Sequence, residues 1–249
     1  MSQREAAPGR GRRGAPDALI LAGGLGRRLR SLLPDRPKVL APVAGRPFLA
    51  YLLDRLESAG LERVILCTGY KGEQVARAIG TQWGRLEVLY SREERPLGTA
   101  GALRRGARLA SSPELLVLNG DSCCRADLSR YLAWYREHSR PAAMLLTRVE
   151  DARRYGSVRV DGTGRVVGFE EKGKDRAGPA WINAGVYLLA RRLVASLPAV
   201  RPLSLEREVL PCWVGRELMG WTGGGEFIDI GTPDSYGRAA AFFGREVSV

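Results

Sequence analysis

The sequence predicts an α/β fold in which helices cover both faces of a mostly parallel, mixed sheet in a single domain. Short apolar runs alternate with segments of helical periodicity over residues 17–148, a pattern typical of strands joined by crossover helices. After residue 148, strand-like runs follow one another, and Asp-Gly-Thr-Gly at 161–164 predicts a hairpin turn. A chain of 249 residues that is 45% hydrophobic suits one large domain.

The predicted elements follow in chain order. The first buried strand covers residues 18–21, and Pro47 begins an amphipathic helix that ends at Gly60. The first half also contains predicted strands at 64–67, 86–90, 115–118 and 142–147 and helices at 72–79, 99–109 and 128–138. The second half contains predicted strands at 157–160, 166–171, 185–190, 218–221 and 226–230 and helices at 205–214 and 233–243. We expect this half to complete the same sheet, so that one domain covers residues 17–249 after a disordered basic leader at 1–16.

Composition argues against several classes of protein. No apolar run approaches the roughly 20 residues of a membrane helix, and residues 1–16 lack the apolar stretch of a secretory signal. Four cysteines and one histidine form no zinc-binding pattern and predict reduced thiols in a cytoplasmic protein. The net charge of +12 is carried by scattered arginines without interleaved aromatic residues. This distribution favours a solvated surface over a nucleic-acid-binding face.

A glycine-rich loop, LAGGLGRRL at residues 21–29, directly follows the first strand. Backbone N–H groups in such a loop approach phosphate oxygens, and Arg28 adds a charged bidentate donor. The loop does not match the dinucleotide-binding pattern, whose third glycine would fall on Leu29, and it lacks the Gly-Lys-Ser/Thr of a Walker A motif. On the glycines alone, a tight turn with a surface arginine is an equal alternative.

A second motif, Pro37-Lys38 followed by VLAPV at residues 39–43, makes the loop far more specific. Together, Gly-Gly-x-Gly-x-Arg-Leu and Pro-Lys-x-Leu-x-Pro-Val resemble the signature of the sugar-1-phosphate nucleotidyltransferase family. The resemblance covers residues 18–243. It implies a Rossmann-like three-layer α/β/α sandwich and an enzyme that joins a nucleoside triphosphate to a sugar 1-phosphate with release of pyrophosphate.

The same resemblance implies roles for residues that bind the nucleotide and the metal. Arg28 and Lys38 match catalytic residues that grip the triphosphate and stabilise charge at the α-phosphate. Asp121 and Asp229 match two ligands of Mg²⁺, the expected cofactor. Taken alone, Asp229 and Thr99 would be helix-capping residues. The implied nucleotide-binding residues are Leu21, Ala22, Gly23, Gly24, Gly98, Thr99 and Asn119.

For the sugar half of the site, the resemblance implies Gly156, Glu171, Lys172 and Asn183. Without the other motifs, the Glu-Lys pair would be an exposed charged hairpin. Runs at 154–158, 203–210 and 227–236 resemble the D-glycero-α-D-manno-heptose 1-phosphate guanylyltransferases within the family. This narrower resemblance implies GTP and a heptose 1-phosphate as substrates.

The implied chemistry needs no general base, because a phosphate nucleophile is already ionised at pH 7. The expected partners are a nucleoside triphosphate and a sugar 1-phosphate, with neither nucleic acid nor membrane, and a homo-oligomer is left open. Three alternatives remain: another nucleobase or sugar, a non-catalytic ligand-sensing relative, and a basic protein that binds nucleic acid with strong salt dependence.

Overall fold

The computed structural model describes residues 14–29, 32–138, 140–170, 178–199 and 201–244. Residues 1–13 of the predicted leader, together with Glu171 and Lys172, lie outside these ranges. The strands are β1 (Asp17–Ala22), β2 (Pro42–Val43), β3 (Arg46–Pro47), β4 (Arg63–Thr68), β5 (Gln82–Trp83), β6 (Leu86–Arg92), β7 (Glu114–Asn119), β8 (Ser122–Cys124), β9 (Ala142–Val149), β10 (Ser157–Val160), β11 (Val166–Glu170), β12 (Ala180–Ala190), β13 (Leu218–Gly224) and β14 (Phe227–Asp229). The α-helices are α1 (Phe48–Ser58), α2 (Gly72–Ile79), α3 (Gly98–Gly106), α4 (Leu128–His138), α5 (Arg191–Ala195), α6 (Leu210–Trp213) and α7 (Pro233–Gly244).

Within the described ranges, ten strands form one mixed sheet. Eight of them lie in the order β11-β10-β12-β7-β1-β4-β6-β5, and β9 joins β13 to β12. The strands β7, β1, β4 and β6 are parallel neighbours, whereas β12 runs antiparallel to both β7 and β9. Since β10, β11 and β12 belong to this sheet, the second half of the chain completes it, as predicted.

Apolar side chains of β1 alternate between two buried clusters, one on each face of the sheet. Ala18 and Ile20 belong to the cluster that contains residues of α1, α2, α4 and α7. Leu19, which lies between them in the strand, belongs to the cluster that contains residues of α3, α5 and α6. Because consecutive strand residues point to opposite faces, β1 lies between two helical layers. The predicted three-layer α/β/α sandwich is confirmed.

Strand β12 begins at Ala180, five residues before the predicted start. Its first part pairs with β9 and contacts β10 at Ser157, and its second part pairs with β7. The pairing with β9 shifts register between Asn183 and Tyr187, where Gly185 has a φ of 73°. Because of this interruption, the first half of the strand is not part of an unbroken apolar run, and the sequence pattern predicted only the second half.

The predicted helix at 205–214 is instead a π-helical turn, Leu205–Val209, followed by the short α6. Pro211, near the start of α6, cannot donate a backbone hydrogen bond to the preceding turn. Among the residues that the structure describes, no helix has the length and apolar character needed to span a bilayer.

Candidate active site

A cavity of about 340 Å³ opens at the carboxyl ends of β1, β4 and β7. Parallel α/β sheets bind their ligands at this edge, because the loops that leave neighbouring strands meet there. Predicted residues from four separate segments line the cavity: Leu21, Ala22, Gly23, Gly24, Lys38, Gly98, Thr99, Asn119 and Asp121. The fold therefore brings four segments into one site: the glycine-rich loop, the Pro-Lys motif, the start of α3 and residues 119–121 at the end of β7.

The glycine-rich loop leaves no room for a side chain at Gly23. A Cβ atom there would lie 2.9 Å from Glu93 Oε1 and 3.3 Å from the backbone nitrogen of Gly69. Beyond Gly23, a Cβ on Gly24 would meet no atom within 4 Å. The loop thus presents bare backbone to the cavity, as phosphate binding by N–H groups requires.

Lys38 begins a short 3₁₀ turn directly after Pro37. Its Nζ lies 2.6 Å from Asp121 Oδ2, and its side chain is 11% exposed, against 45% for that of Asp121. A Cβ atom placed on Gly231 would lie 3.6 Å from both Lys38 Nζ and Arg28 Nη2. The two predicted catalytic cations therefore converge beside one backbone position, although Arg28 does not line the cavity itself.

Asp121 and Asp229, which are far apart in sequence, come together through the pairing of β8 with β14. Asp229 lies opposite Ser122 in this antiparallel pair, and the backbone N–H of Ile230 donates to the carbonyl oxygen of Asp121 at 2.8 Å. No group of three or more His, Cys, Asp or Glu side chains suited to a metal occurs in the described part of the chain. A cation held by the two aspartates would therefore take its other ligands from phosphates and water.

Asp229 is held in the ionised form. Tyr155 donates to its Oδ2 at 2.8 Å, while the Gly231 N–H and the Ser235 hydroxyl donate to Oδ1 at 2.8 and 3.1 Å. Burial raises the pKa of Asp229, but the hydrogen bonds and the nearby Arg154 outweigh it and leave this pKa below its ordinary value. Burial and the bond to Asp229 raise the pKa of Tyr155 to about 12, so this phenol remains a donor.

Neither capping alternative holds. The Thr232 hydroxyl, and not Asp229, accepts from the Ser235 N–H in the first turn of α7. Thr99 lies inside the first turn of α3, where its hydroxyl accepts from the Leu205 N–H at 2.7 Å and donates to Glu206 Oε2 at 2.8 Å. Asp229 instead accepts from Gly231, Ser235 and the distant Tyr155, and Thr99 bonds to residues more than 100 positions away in the sequence.

Gly98 allows the segment from Leu203 onward to pack directly on the start of α3. Its φ is 73°, and a Cβ there would lie 2.8 Å from the backbone nitrogen of Leu203 and closer still to its carbonyl oxygen. Two backbone hydrogen bonds join the segments, from Leu203 N–H to Leu97 and from Ala100 N–H to Leu203, both at 2.9 Å.

We predict that Gly98→Ala lowers the free energy of unfolding by about 1–3 kcal/mol, because it adds a clash to a left-handed backbone conformation. Thermal or urea unfolding measures the effect. The control is Gly237→Ala, at an exposed position in α7 with open space around it. This change should raise the free energy of unfolding by about 0.5–1 kcal/mol. An equal change in both variants would contradict the clash between a Cβ at position 98 and the Leu203 backbone.

The structure describes two of the predicted sugar-binding residues, Gly156 and Asn183, and both lie outside the cavity lining. Gly156 follows Tyr155, and a Cβ on it would lie 3.0 Å from the carbonyl oxygen of Glu170. The Asn183 amide donates to the Tyr187 hydroxyl at 2.8 Å and accepts from the Gly185 N–H at 2.9 Å. Neither residue lines the main cavity, so their contact with a sugar stays a prediction.

Two carboxylates in the cavity, those of Glu93 and Glu206, were not predicted. Glu93 Oε2 accepts from the Leu97 N–H at 3.0 Å, and burial raises the pKa of this side chain. Glu206 lies in the run 203–210 that supported the narrower resemblance. Glu93 lies three residues before Pro-Leu-Gly-Thr at 96–99, which contains the predicted nucleotide-binding residues Gly98 and Thr99. The neighbouring motifs marked both segments as candidate parts of the site. Whether each carboxylate enters the cavity depends on how distant segments pack in the fold.

Comparisons with known proteins identify the family and the fold. A family model described as nucleotidyl transferase matches residues 17–246. The mannose-1-phosphate guanylyltransferase of Mycobacterium tuberculosis is 37% identical over 237 residues, which are 93% of this chain and 66% of that protein. The chain thus spans just under two thirds of that relative.

Two further relatives match almost end to end. The D-glycero-alpha-D-manno-heptose 1-phosphate guanylyltransferase of Aneurinibacillus thermoaerophilus is 34% identical over 224 residues, which are 90% of this chain and 96% of that protein. The structure of HddC from Yersinia pseudotuberculosis, complexed with GMP-PN, has a TM-score of 0.82 at 32% identity, over 92% of this chain and 100% of that one. The family resemblance and the Rossmann-like fold expected from the sequence are confirmed: the chain belongs to the nucleotidyl transferase family.

Proposed function

We propose that this enzyme transfers a guanylyl group from GTP to a sugar 1-phosphate, preferably a heptose 1-phosphate, and releases pyrophosphate. The observation that carries the proposal is the convergence of Arg28, Lys38 and Asp229 around Gly231. Lys38 pairs there with Asp121, and both line the cavity formed by the glycine-rich loop. Guanylyl transfer draws support from the names of the mycobacterial and Aneurinibacillus relatives. The second of these names, from the relative of matching length, supports the heptose.

The proposed reaction is an in-line displacement. A phosphate oxygen of the sugar 1-phosphate forms a bond to the α-phosphorus of GTP, the bond to the oxygen that bridges to the β-phosphate breaks, and pyrophosphate leaves with that electron pair. No proton has to be removed from the nucleophile. Catalysis therefore consists of positioning and charge stabilisation. Lys38 stabilises charge at the α-phosphate, and Arg28 holds the phosphates that leave.

The surroundings of the site agree with a mechanism that uses no general base. Asp229 is ionised but engaged in hydrogen bonds from Tyr155, Gly231 and Ser235. Tyr155, with its raised pKa, serves to position Asp229. His138 lies exposed at the end of α4, where its Nδ1 is 2.8 Å from the carbonyl oxygen of Trp134, and it does not line the cavity.

Enzymes of this family generally use a divalent metal, and the residues present fit one. Asp121 and Asp229 offer carboxylate oxygens from paired strands, the ligand type that Mg²⁺ prefers. When bound, Mg²⁺ would neutralise charge on the triphosphate. The ion pair between Lys38 and Asp121 holds the lysine ammonium beside one of the two carboxylates that would bind the metal.

The alternative functions receive less support. Three carboxylates in the cavity, those of Glu93, Asp121 and Glu206, disfavour a surface that binds nucleic acid through its phosphates. A ligand-sensing relative that had lost catalysis would lack the lysine or an aspartate, and this chain keeps all of them. We retain the cytoplasmic location as part of the proposal.

The test is a pyrophosphate-release assay in which heptose and mannose 1-phosphates are each combined with GTP, ATP, CTP, UTP and dTTP. We expect the highest kcat/KM for GTP with the heptose, on the order of 10-fold or more above mannose, because a polar pocket discriminates strongly against a substrate that lacks a paired hydroxyl. Equal use of mannose would defeat the heptose assignment, and an ATP preference would defeat the guanylyl assignment. Absence of pyrophosphate release with every pair would defeat nucleotidyl transfer by this chain.

A further inference from the structure

The structure assigns a specificity-determining role to Glu206: we infer that its carboxylate accepts hydrogen bonds from ring hydroxyl groups of the sugar 1-phosphate. The inference rests on the proposed function and adds a residue to the sugar half of the site. The named relatives act on mannose 1-phosphate and on a manno-heptose 1-phosphate. We infer that Glu206 binds hydroxyls common to both sugars and therefore does not decide between them.

The backbone around Glu206 is fixed against α3. Leu203 exchanges hydrogen bonds with Leu97 and Ala100, both at 2.9 Å, and the Leu205 N–H donates to the Thr99 hydroxyl at 2.7 Å. These bonds tie the segment to the helix start that forms one wall of the cavity. Glu206 is thus presented to the cavity by a rigid support, as a specificity residue requires.

One oxygen of the carboxylate is occupied and the other is available. Because the Thr99 hydroxyl already accepts from Leu205, its proton is directed to Glu206 Oε2 at 2.8 Å. The Ser204 hydroxyl approaches the same oxygen at 3.4 Å. Within the part of the chain that the structure describes, Oε1 accepts no hydrogen bond and forms no ion pair. A half-buried carboxylate oxygen that lines a cavity without a donor is suited to accept one from a ligand.

Glu206 lines the cavity together with Asn119, the last residue of β7, and β7 pairs with β12 in the sheet. Glu93 packs instead beside Gly23 and Gly69, after β1 and β4. Burial raises the pKa of Tyr187 on β12 well above the ordinary value, and the negative charge of Glu206 adds to this effect. The Tyr187 hydroxyl in turn accepts from Asn183, the β12 residue predicted to contact the sugar. Glu206 therefore faces the strand on which the sugar is expected.

The ligand must bring donors and not further negative charge. Glu206 Oε1 is an acceptor in the cavity lining that has no hydrogen-bond donor among the described residues. A carboxylate repels phosphate groups, so the triphosphate belongs on the other side, beside Lys38 and Arg28. Sugar hydroxyls are neutral donors, and one of them satisfies Glu206 Oε1.

The experiment is steady-state kinetics of Glu206→Gln and Glu206→Asp with GTP and the preferred sugar 1-phosphate. We expect Glu206→Gln to raise the KM for the sugar 1-phosphate on the order of 10-fold or more and to leave the KM for GTP within about twofold, since a carboxylate–hydroxyl bond is lost on one substrate only. Wild type should lose activity with 2-deoxymannose 1-phosphate relative to mannose 1-phosphate. In Glu206→Gln that difference should shrink.

The matched control is Glu208→Gln, on the same π-helical turn, where the carboxylate accepts from the Ser204 N–H at 2.8 Å and does not line the cavity. It should keep both KM values. A raised KM for GTP alone, or unchanged values in Glu206→Gln, would overturn the inference while leaving nucleotidyl transfer intact. Inactive wild type would contradict the proposed function. Calorimetric binding of mannose 1-phosphate with a non-hydrolysable GTP analogue then tests Glu206 separately, and equal affinity of wild type and variant would overturn its role.

Discussion

Replacing Lys38 by alanine lowers kcat on the order of 100-fold or more, because it removes a nearly buried positive charge from the point where charge develops in the transition state. The Lys38 side chain is 11% exposed, and its ammonium lies 2.6 Å from Asp121. The variant loses this charge and leaves Asp121 without its partner. Both effects oppose a triphosphate whose α-phosphate must accept another anionic oxygen.

Arginine does not restore activity at this position. The Lys38 ammonium and the Arg28 guanidinium already approach the same point beside Gly231, and a second planar guanidinium needs more width there than an ammonium. We therefore expect Lys38→Arg to lose at least about 10-fold in kcat.

Pyrophosphate release under saturating substrates gives kcat for both Lys38 variants. The control is Lys71→Ala, since Lys71 pairs at 3.2 Å with Asp35, a residue 96% exposed at the surface, where an ion pair contributes little. This control should retain normal turnover. If Lys38→Ala turned over at nearly the wild-type rate, the assignment of Lys38 to the α-phosphate would be wrong.

The sequence predicted the central strands, and it predicted residues that the fold brings together in one cavity. There is a physical reason for both. Strands such as β1 and β4 are buried on both faces, so each forms an unbroken apolar run. The loops that follow such strands meet at one edge, and the glycine and Pro-Lys motifs fall in those loops. The position of Lys38 and Asp121 in one cavity followed from these two facts.

What the sequence did not predict depends on contacts between distant segments. Thr99 and Glu206 are 107 residues apart, and Tyr155 and Asp229 are 74 apart. Strand β8 has only three residues, too few for a periodic signal, yet its pairing with β14 brings the two aspartates together. Local patterns identify a hydroxyl or a carboxylate as a candidate, but they do not say which partner it bonds in the folded chain.

Asp121→Asn and Asp229→Asn each nearly abolish turnover, with a loss on the order of 1,000-fold. Each change preserves the shape of the side chain and removes its negative charge. An asparagine at 229 still accepts from Tyr155 or Gly231 through its carbonyl oxygen, so the neighbouring structure is retained. What the variant lacks is one of the two carboxylates, Asp121 and Asp229, that are proposed to bind the divalent cation.

Activity and stability must be measured together, because Asp229 accepts three hydrogen bonds in the fold. We expect each variant to keep a Tm within a few degrees of wild type while losing pyrophosphate release. The matched control is Asp54→Asn. Asp54 is 40% exposed and pairs with Arg46 at 2.7 Å, much as Asp121 pairs with Lys38, but it does not line the cavity. This control should retain turnover.

Removal of metal from the wild type tests the proposed metal role without a mutation. EDTA should abolish pyrophosphate release, and excess Mg²⁺ should restore it. Without the cation, the carboxylates of Asp121 and Asp229 repel the negative triphosphate and no bound metal offsets that repulsion. The aspartate variants should not recover at Mg²⁺ concentrations that saturate the wild type. Full activity in chelator would refute the metal role. If Asp229→Asn kept an activity that chelator removes, Asp229 would position Tyr155 and would not bind the cation.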